Sequence, residues 1–271
     1  MSDDAAVVIA LLGLGEAGSH FAADLAASGV TVRAFDPKVR PPGTIVACAD
    51  DADAACGAQL ILALTSAHEA LETLQLALPG IQPGAIYADL NTGSARLKLM
   101  LAELAGQAGV AFADVALMAP VPGLGLRTPM LACGPAAARY AHVVQPLGAD
   151  VTVLAGPPGT AATRKLLRSV FYKGLAAAVT ESLRAGRAAG CADWLRADIA
   201  GVLADASAAT VDRLEEGSVR HARRRAEEMK AAGDLLDDLG VAPRIARASQ
   251  GWLEQLLTEQ LLPGGDEVAP G

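Results

Sequence analysis

Six apolar residues run without a break from Val7 to Leu12 and stop at Gly13. A short continuous apolar run of this kind suits a strand buried on both faces, as in a parallel sheet. From Glu16 the apolar positions change to helical spacing, through Phe21, Leu25 and Ala26, and end at the helix-stopping Gly29. The β-branched, alternating VTVRAF at 30–35 predicts a second strand. Strands are further predicted at 44–48, 59–64, 84–90, 110–117, 130–133 and 151–155. Helices are predicted at 67–78, 94–107 and 136–144. Strands alternating with helices at this spacing predict an open, mostly parallel sheet with helices on both faces.

The pattern changes at AGPPG, residues 155–159, a proline and glycine break. Beyond it the β-rich runs vanish, and an uninterrupted helix-compatible stretch covers 160–189. Further helical segments follow to about residue 262. The expected organisation is α/β: a Rossmann-type, doubly wound parallel sheet at 1–156, then an all-helical domain at 157–263. The tail 264–271, PGGDEVAPG with its preceding proline, has little to bury and is expected to be disordered.

The first crossover carries candidate chemistry. Gly13-Leu14-Gly15-Glu16-Ala17-Gly18 fits G-x-G-x-x-G between a predicted strand and a predicted helix. In that setting the first glycine makes the tight turn and the second admits a pyrophosphate to the backbone. The third lets helix and strand pack closely. Helix-start N–H groups favour the anion. Asp36 closes the second strand, where a carboxylate accepts hydrogen bonds from ribose hydroxyls and repels a 2′-phosphate. NAD is therefore favoured as cofactor. NADP stays open, because Lys38 and Arg40 follow, and Asp36 before Pro37 also reads as a turn residue.

Composition narrows the partners. The 271 residues carry 22 basic and 30 acidic side chains, a formal charge of −8. That balance gives no support to nucleic-acid or polybasic membrane binding. The start MSDDAAVVIALL lacks the basic opening of a signal peptide, and no run approaches the ~20 apolar residues of a membrane span. A soluble cytoplasmic protein is expected. Cys48, Cys56, Cys133 and Cys191 form no C-x-x-C pair, so neither a metal site nor a disulfide framework is indicated. They read as buried small hydrophobes.

Four stretches together resemble the β-hydroxyacid dehydrogenase superfamily, the 3-hydroxyisobutyrate and 6-phosphogluconate dehydrogenases. GLGEAG resembles the family's G-L-G-x-M-G, with Ala17 for methionine. DLNTGSA at 89–95 resembles D-x-N/S-T-x-S-P, with Ala95 for proline. The loop APVPGLG from 119 resembles A-P-V-S-G-G, with Pro122 for serine and Leu124 for the second glycine. GPPGTAATRKLLRS at 156–169 resembles G-x-x-G-x-G-x-x-x-K-x-x-x-N, with Ala161 for glycine and Ser169 for asparagine.

The resemblance implies that Lys165 is the catalytic lysine, beside Ser169, and that the loop around Gly123 meets the substrate. A lysine next to a carbinol hydroxyl can take its proton and return it in the reverse direction. Ser169 and Tyr172 lie one and two helical turns beyond Lys165 and share its face. Two-domain members of the family generally pair through the helical domain, so a homodimer is implied. Pro122 removes a hydroxyl donor from the substrate loop and Ser169 is shorter than the family's asparagine, which leaves the substrate open.

Asn91, Thr92 and Ser94 follow a strand end at the edge where open α/β sheets bind ligands, as do Leu64, Thr65 and Ser66. Both groups read equally as helix caps. In SVRHARRRAEEMK, His221, Arg224, Arg225 and Glu228 recur at helical spacing. They read either as a solvated face or as an anion-holding group, with His221 and one arginine, in an interdomain cleft. The expected function is hydride transfer between NAD(P) and a hydroxy acid or related alcohol, the substrate small and anionic. Imine reduction is one alternative. A non-catalytic NAD(P)-binding redox sensor is another.

Overall fold

The structure, a computed structural model, describes residues 7–261; the expected disordered tail at 264–271 lies outside them. The chain divides into two compact units, the first ending at Arg168 and the second beginning at Ser169.

The first unit opens with β1 (Val8–Leu12), α1 (Glu16–Ala27), β2 (Thr31–Phe35) and β3 (Val46–Ala47). It continues with α2 (Asp51–Ala55), β4 (Leu60–Ala63), α3 (Ala70–Ala77), β5 (Ile86–Asp89), α4 (Ala95–Gln107) and β6 (Ala111–Leu117). It ends with β7 (Met130–Cys133), α5 (Ala137–Val144), β8 (Val151–Val153) and the start of α6 (Thr160–Ala188). The eight strands form one sheet in the order β3-β2-β1-β4-β5-β6-β7-β8.

The unbroken apolar runs have the cause their pattern suggests, since the sheet is covered on both faces. Ile9, Leu11, Leu60, Leu62, Ile86 and Ala88 point to one side, where Phe21, Leu25, Tyr140 and Val144 pack. Their neighbours Ala10, Leu12, Ile61, Ala63 and Tyr87 point to the other, against Ala54, Leu74 and Leu101. Side chains alternating across a strand serve two cores at once.

Three local differences from the sequence reading have physical reasons. β3 keeps only Val46 and Ala47 of the expected 44–48, because it is an edge strand with both residues exposed. The short α2 was not expected; its start is fixed by Asp50, whose Oδ1 accepts from the Asp53 N–H at 2.7 Å. β7 runs antiparallel to β6. The 118–129 connection holds only one turn of 3-10 helix, Gly125–Arg127, whereas a parallel return generally needs a full crossover helix. The cysteine expectation is also corrected. Cys133 is buried, but Cys56 and Cys191 are exposed, just after α2 and just before α7, and Cys48 is half-buried.

One polar cluster lies inside this apolar frame. Lys98 on α4 is fully buried. Its ammonium faces Asp89 Oδ2 at 2.6 Å and Asp114 Oδ1 at 3.0 Å, and donates to the Asp89 carbonyl at 2.9 Å. Asp114 Oδ2 in turn accepts from the Gly159 and Ala162 N–H groups at 2.9 and 3.2 Å, at the N-terminus of α6. A carboxylate there satisfies helix-start donors and meets the positive end of the helix dipole.

The second unit carries the rest of α6 with α7 (Ala192–Ala204), α8 (Ala208–Arg220), α9 (Ala222–Asp238) and α10 (Arg244–Leu261). Glu181 on α6 accepts from the Ile245 and Ala246 N–H groups at 2.8 and 2.9 Å and so caps α10. Arg247 on α10 bridges Asp234 and Asp237 of α9 at 2.8 and 3.0 Å. No described helix is long and apolar enough to cross a membrane.

Replacing Lys98 by methionine is expected to cost about 3–5 kcal/mol, because it leaves two buried carboxyls without their cation. Urea unfolding of K98M against the parent reads this loss. Adding D89N and D114N to K98M should recover much of it.

Candidate active site

The glycine turn divides its three glycines between two tasks. Gly13 has φ +95°, and a Cβ there would stand 2.5 Å from the Leu64 carbonyl oxygen. At Gly18 a Cβ would stand 2.0 Å from the Gly13 carbonyl oxygen. Both are dictated by close packing of backbone on backbone. Gly15 is different: it is exposed, and a Cβ there would meet no protein atom within 4 Å. The fold does not need glycine at 15, whereas a diphosphate lying on the backbone would.

Gly13 and Gly15 line a cavity of about 540 Å³, within the range of small-molecule sites. The other walls are Phe35 to Val39 after β2, Asp51 on α2, Leu64 and Thr65 after β4, and Glu69, Glu72, Thr73 and Leu76. All but one of these segments stand at the carboxyl ends of strands, where open sheets take their ligands; the exception is the flank of α3. Four carboxylates and one lysine line the cavity, Asp36, Asp51, Glu69, Glu72 and Lys38.

Asp36 is held in place by main-chain donors. Its Oδ2 accepts from the Leu14 N–H at 2.7 Å, and its Oδ1 from the Lys38 and Val39 N–H groups at 2.8 and 2.9 Å. Partial burial pushes its carboxyl up, but these three donors and the Lys38 charge together hold it below its ordinary value. It stays ionised beside the glycine turn. Asp51 behaves oppositely. Burial, with the like charges of Asp50, Glu72 and Asp36, raises it from 3.8 to about 6.

From the cavity wall a polar chain leads inward. Thr65 Oγ1 accepts from Asn91 Nδ2 at 3.3 Å, and Asn91 Nδ2 also donates to Asp89 Oδ1 at 2.6 Å. Asp89 belongs to the Lys98 cluster. Burial raises its carboxyl, against the lowering pull of the Lys98 charge and of the hydrogen bonds from Lys98 and Asn91. The sequence reading missed Asp51, Lys98 and Asp114. Lys98 looked like one more polar position on α4, and only its place one turn before the buried Leu101 and two before Ala105 hinted that it faces inward.

The remaining candidates take these positions. Leu14 is buried in the turn, Glu16 opens α1, and Ala17 packs beneath it. Ser66 donates to Glu69 Oε2 at 2.8 Å and accepts from the Glu69 N–H, a local turn before α3. Ser94 caps α4, accepting from the Leu97 N–H at 3.2 Å. Thr92 is exposed. Gly123 lies at φ +83° in the 118–129 loop, whose Leu126 N–H is held by Asp24 Oδ2 at 2.7 Å. The guanidinium of Arg168 donates to the Met118 carbonyl at the start of that loop.

Lys165 is half-buried in the second turn of α6. Farther along that helix Ser169 is half-buried and Tyr172 exposed, its ring edge-on to Phe171 at 5.3 Å. In the second unit, His221 is exposed at the junction of α8 and α9. It shares a groove there with Arg220, Arg223 and Arg224. Arg224 pairs with Glu228 at 3.6 Å, and Arg225 donates to Ser218 Oγ at 2.9 Å.

The family model of the NAD-binding domain of 6-phosphogluconate dehydrogenase matches residues 8–154. A domain of unknown function matches residues 187–256. No curated protein matches the chain. Among solved structures, an imine reductase from Myxococcus stipitatus in complex with NADP+ has TM-score 0.79 and 16% identity, over 93% of this chain and 94% of that one. An imine reductase from Pseudomonas sp. has TM-score 0.76 and 18% identity, over 94% and 95%. A conserved protein of unknown function, described as structurally similar to 3-hydroxyacid dehydrogenases, has TM-score 0.59 and 24% identity, over 93% and 98%.

The raised carboxyl of Asp51 gives a signed prediction. A folded-state value above the unfolded one means the native chain holds the extra proton, so its contribution is full below 3.8 and lost as pH rises through about 6. Asp51→Asn should therefore raise the melting temperature relative to the parent at pH 8, with the gap closing below pH ~4. Thermal melts of both proteins across that range measure it.

Proposed function

The chain belongs to the family of the NAD-binding domain of 6-phosphogluconate dehydrogenase, within the β-hydroxyacid dehydrogenase superfamily, and is an NAD(P)-dependent oxidoreductase; we propose that it transfers hydride between NAD and a hydroxy acid or related alcohol. The observation that carries the nucleotide reading is Gly15, a glycine that packing does not require, beside an ionised Asp36 in a ligand-sized cavity. The residues fit the group. The Gly13–Gly18 turn would take the diphosphate and Asp36 the ribose hydroxyls, while Leu64, Thr65 and Asn91 border the same edge. Asp36, Glu69 and Glu72 support NAD over NADP, because a 2′-phosphate would enter a field of its own sign.

When bound, the nicotinamide supplies the acceptor or donor of hydride. Lys165 takes the proton from the substrate hydroxyl as the carbon is oxidised and returns it in the reverse reaction. Ser169 and Tyr172, on the same helix, orient the ammonium or the substrate oxygen. Arg168 and His221 are candidates for an anionic substrate group. Imine reduction is the second reading. Pro122, without the hydroxyl of the hydroxy acid motif's serine, and Ser169, shorter than its asparagine, both favour a substrate other than the usual small hydroxy acid.

The helical unit supports a homodimer. No residue of α7 or α8 is buried, and Trp194, Val202, Val211 and Leu214 are exposed on them, more apolar surface than a solitary unit usually shows. Sedimentation equilibrium should give twice the chain mass, and a monomer at micromolar concentration would count against this assembly. We place the protein in the cytoplasm.

Lys165→Met should lower kcat by roughly 10²–10⁴ while leaving the NADH dissociation constant unchanged. A screen of hydroxy acids and imines with NAD and NADP finds the substrate on which this is read. Undiminished turnover in the variant would remove Lys165 from the proton transfer.

A further inference from the structure

Resting on the reading that the cavity takes an adenine dinucleotide, we propose that Asp51 recognises the base: its carboxyl pairs with the exocyclic amine and the neighbouring ring nitrogen N1 of adenine.

The order of the sheet supplies the placement. The glycine turn follows β1, Asp36 follows β2, and Asp51 follows β3, and these strands are consecutive neighbours. Each step across the sheet is about 4.8 Å. Diphosphate, ribose and base are likewise consecutive along the nucleotide. With the first two on the turn and on Asp36, the base reaches the side of the cavity that Asp51 closes. Val39 and Leu76 line that cavity with exposed apolar side chains, which suits the two faces of a purine.

Asp51 stands apart from the other carboxylates of the neighbourhood. Asp50 caps α2, Asp53 pairs with Arg33 at 2.6 Å, and Glu69 accepts from Ser66. Glu72 is exposed to water. Asp51 is 8% exposed and, unlike Asp50 and Asp53, lines the cavity without capping a helix or pairing with a cation. Its remaining contact is with the cavity it lines, where a ligand can satisfy the carboxyl that no neighbouring side chain among the described residues engages.

The chemistry is complementary. The adenine edge offers an N–H donor at the amine and an acceptor at N1. A neutral carboxyl offers an acceptor oxygen and an O–H donor side by side. A site can keep a carboxyl neutral so that it donates. Around Asp51 stand Asp50 on its own helix, Glu72 on α3, Asp36 and Lys38 after β2, and the buried Tyr87 hydroxyl on β5. Arg33 on β2 is engaged by Asp53. The carboxylates and the burial favour the neutral form of Asp51.

The test uses the full chain and two dinucleotides, NAD+ and its 1,N6-ethenoadenine analogue, in which N1 and the amine are both blocked. Calorimetric titrations compare the parent with Asp51→Asn and Asp51→Ala. The parent should bind NAD+ on the order of tenfold more tightly at pH 6 than at pH 8, where the carboxyl has largely lost the proton it donates to N1. It should also prefer NAD+ over the etheno analogue by a similar factor. Asp51→Asn, which keeps a donor and an acceptor, should retain the preference and lose the pH slope. Asp51→Ala should lose both. Equal affinity of the parent for the two dinucleotides, or an undiminished preference in Asp51→Ala, would overturn the role of Asp51 while leaving the nucleotide site standing. A parent that binds neither dinucleotide would overturn the nucleotide reading itself, and this role with it.

Discussion

The ammonium of Lys98 holds two buried aspartates that would otherwise repel each other, one from each of two adjacent strands. Through Asp89 it fixes the end of β5 and the amide of Asn91. Through Asp114 it fixes the first amides of α6. Removing one lysine and two carboxyls from water carries a large desolvation penalty, and apolar residues of similar size would often be as stable. What apolar residues lack is direction. A charged cluster with defined donors and acceptors sets where a strand end, an asparagine and a helix start must sit. The first turns of α6, with Lys165, are therefore anchored to the same sheet edge that carries the cavity beside the glycine turn.

Two aspartates in that cavity show how environment, not residue type, sets chemistry. Asp36 and Asp51 both lose water. Asp36 gains three main-chain donors that prefer its anion. Asp51 gains carboxylate neighbours instead. The pair is thereby driven in opposite directions. A ribose diol, which donates, is best met by an anion. A base edge that both donates and accepts is best met by a neutral carboxyl. The electrostatic environment of the cavity therefore changes between the end of β2 and the start of α2.

How much of this was legible in the sequence depended on how local each cause is. The glycine turn, Asp36 and the strands through Ala63 are encoded within a few residues, and the periodicity exposes them. MLAC at 130–133 reads as a strand, but its direction is set by a connection without a crossover helix. Lys98 is invisible because its partners lie in other segments, Asp89 nine residues before it and Asp114 sixteen after. Each of the three alone resembles an ordinary polar position. The same holds for Cys133, whose Sγ lies between Asp114 Oδ2 and the Ala161 N–H at 3.3 and 3.2 Å. The cysteines at 56 and 191 were misread because composition says nothing of exposure.

A motif such as G-x-G-x-x-G is usually taken whole, as if each glycine had one cause. Here Gly13 and Gly18 would collide with neighbouring backbone if they bore a side chain, so any protein with this turn would need them. Their presence speaks for the fold. Gly15 faces open space, and its backbone, with φ −60° and ψ −166°, is within reach of ordinary residues. A chain under no constraint but folding gains by placing a less flexible residue there. Keeping the position bare has a cost in conformational entropy and no return in packing. The return must come from something that approaches the backbone from outside the protein. In a turn backed by an ionised aspartate and helix-start amides, an anion carrying sugar hydroxyls is the approach that fits.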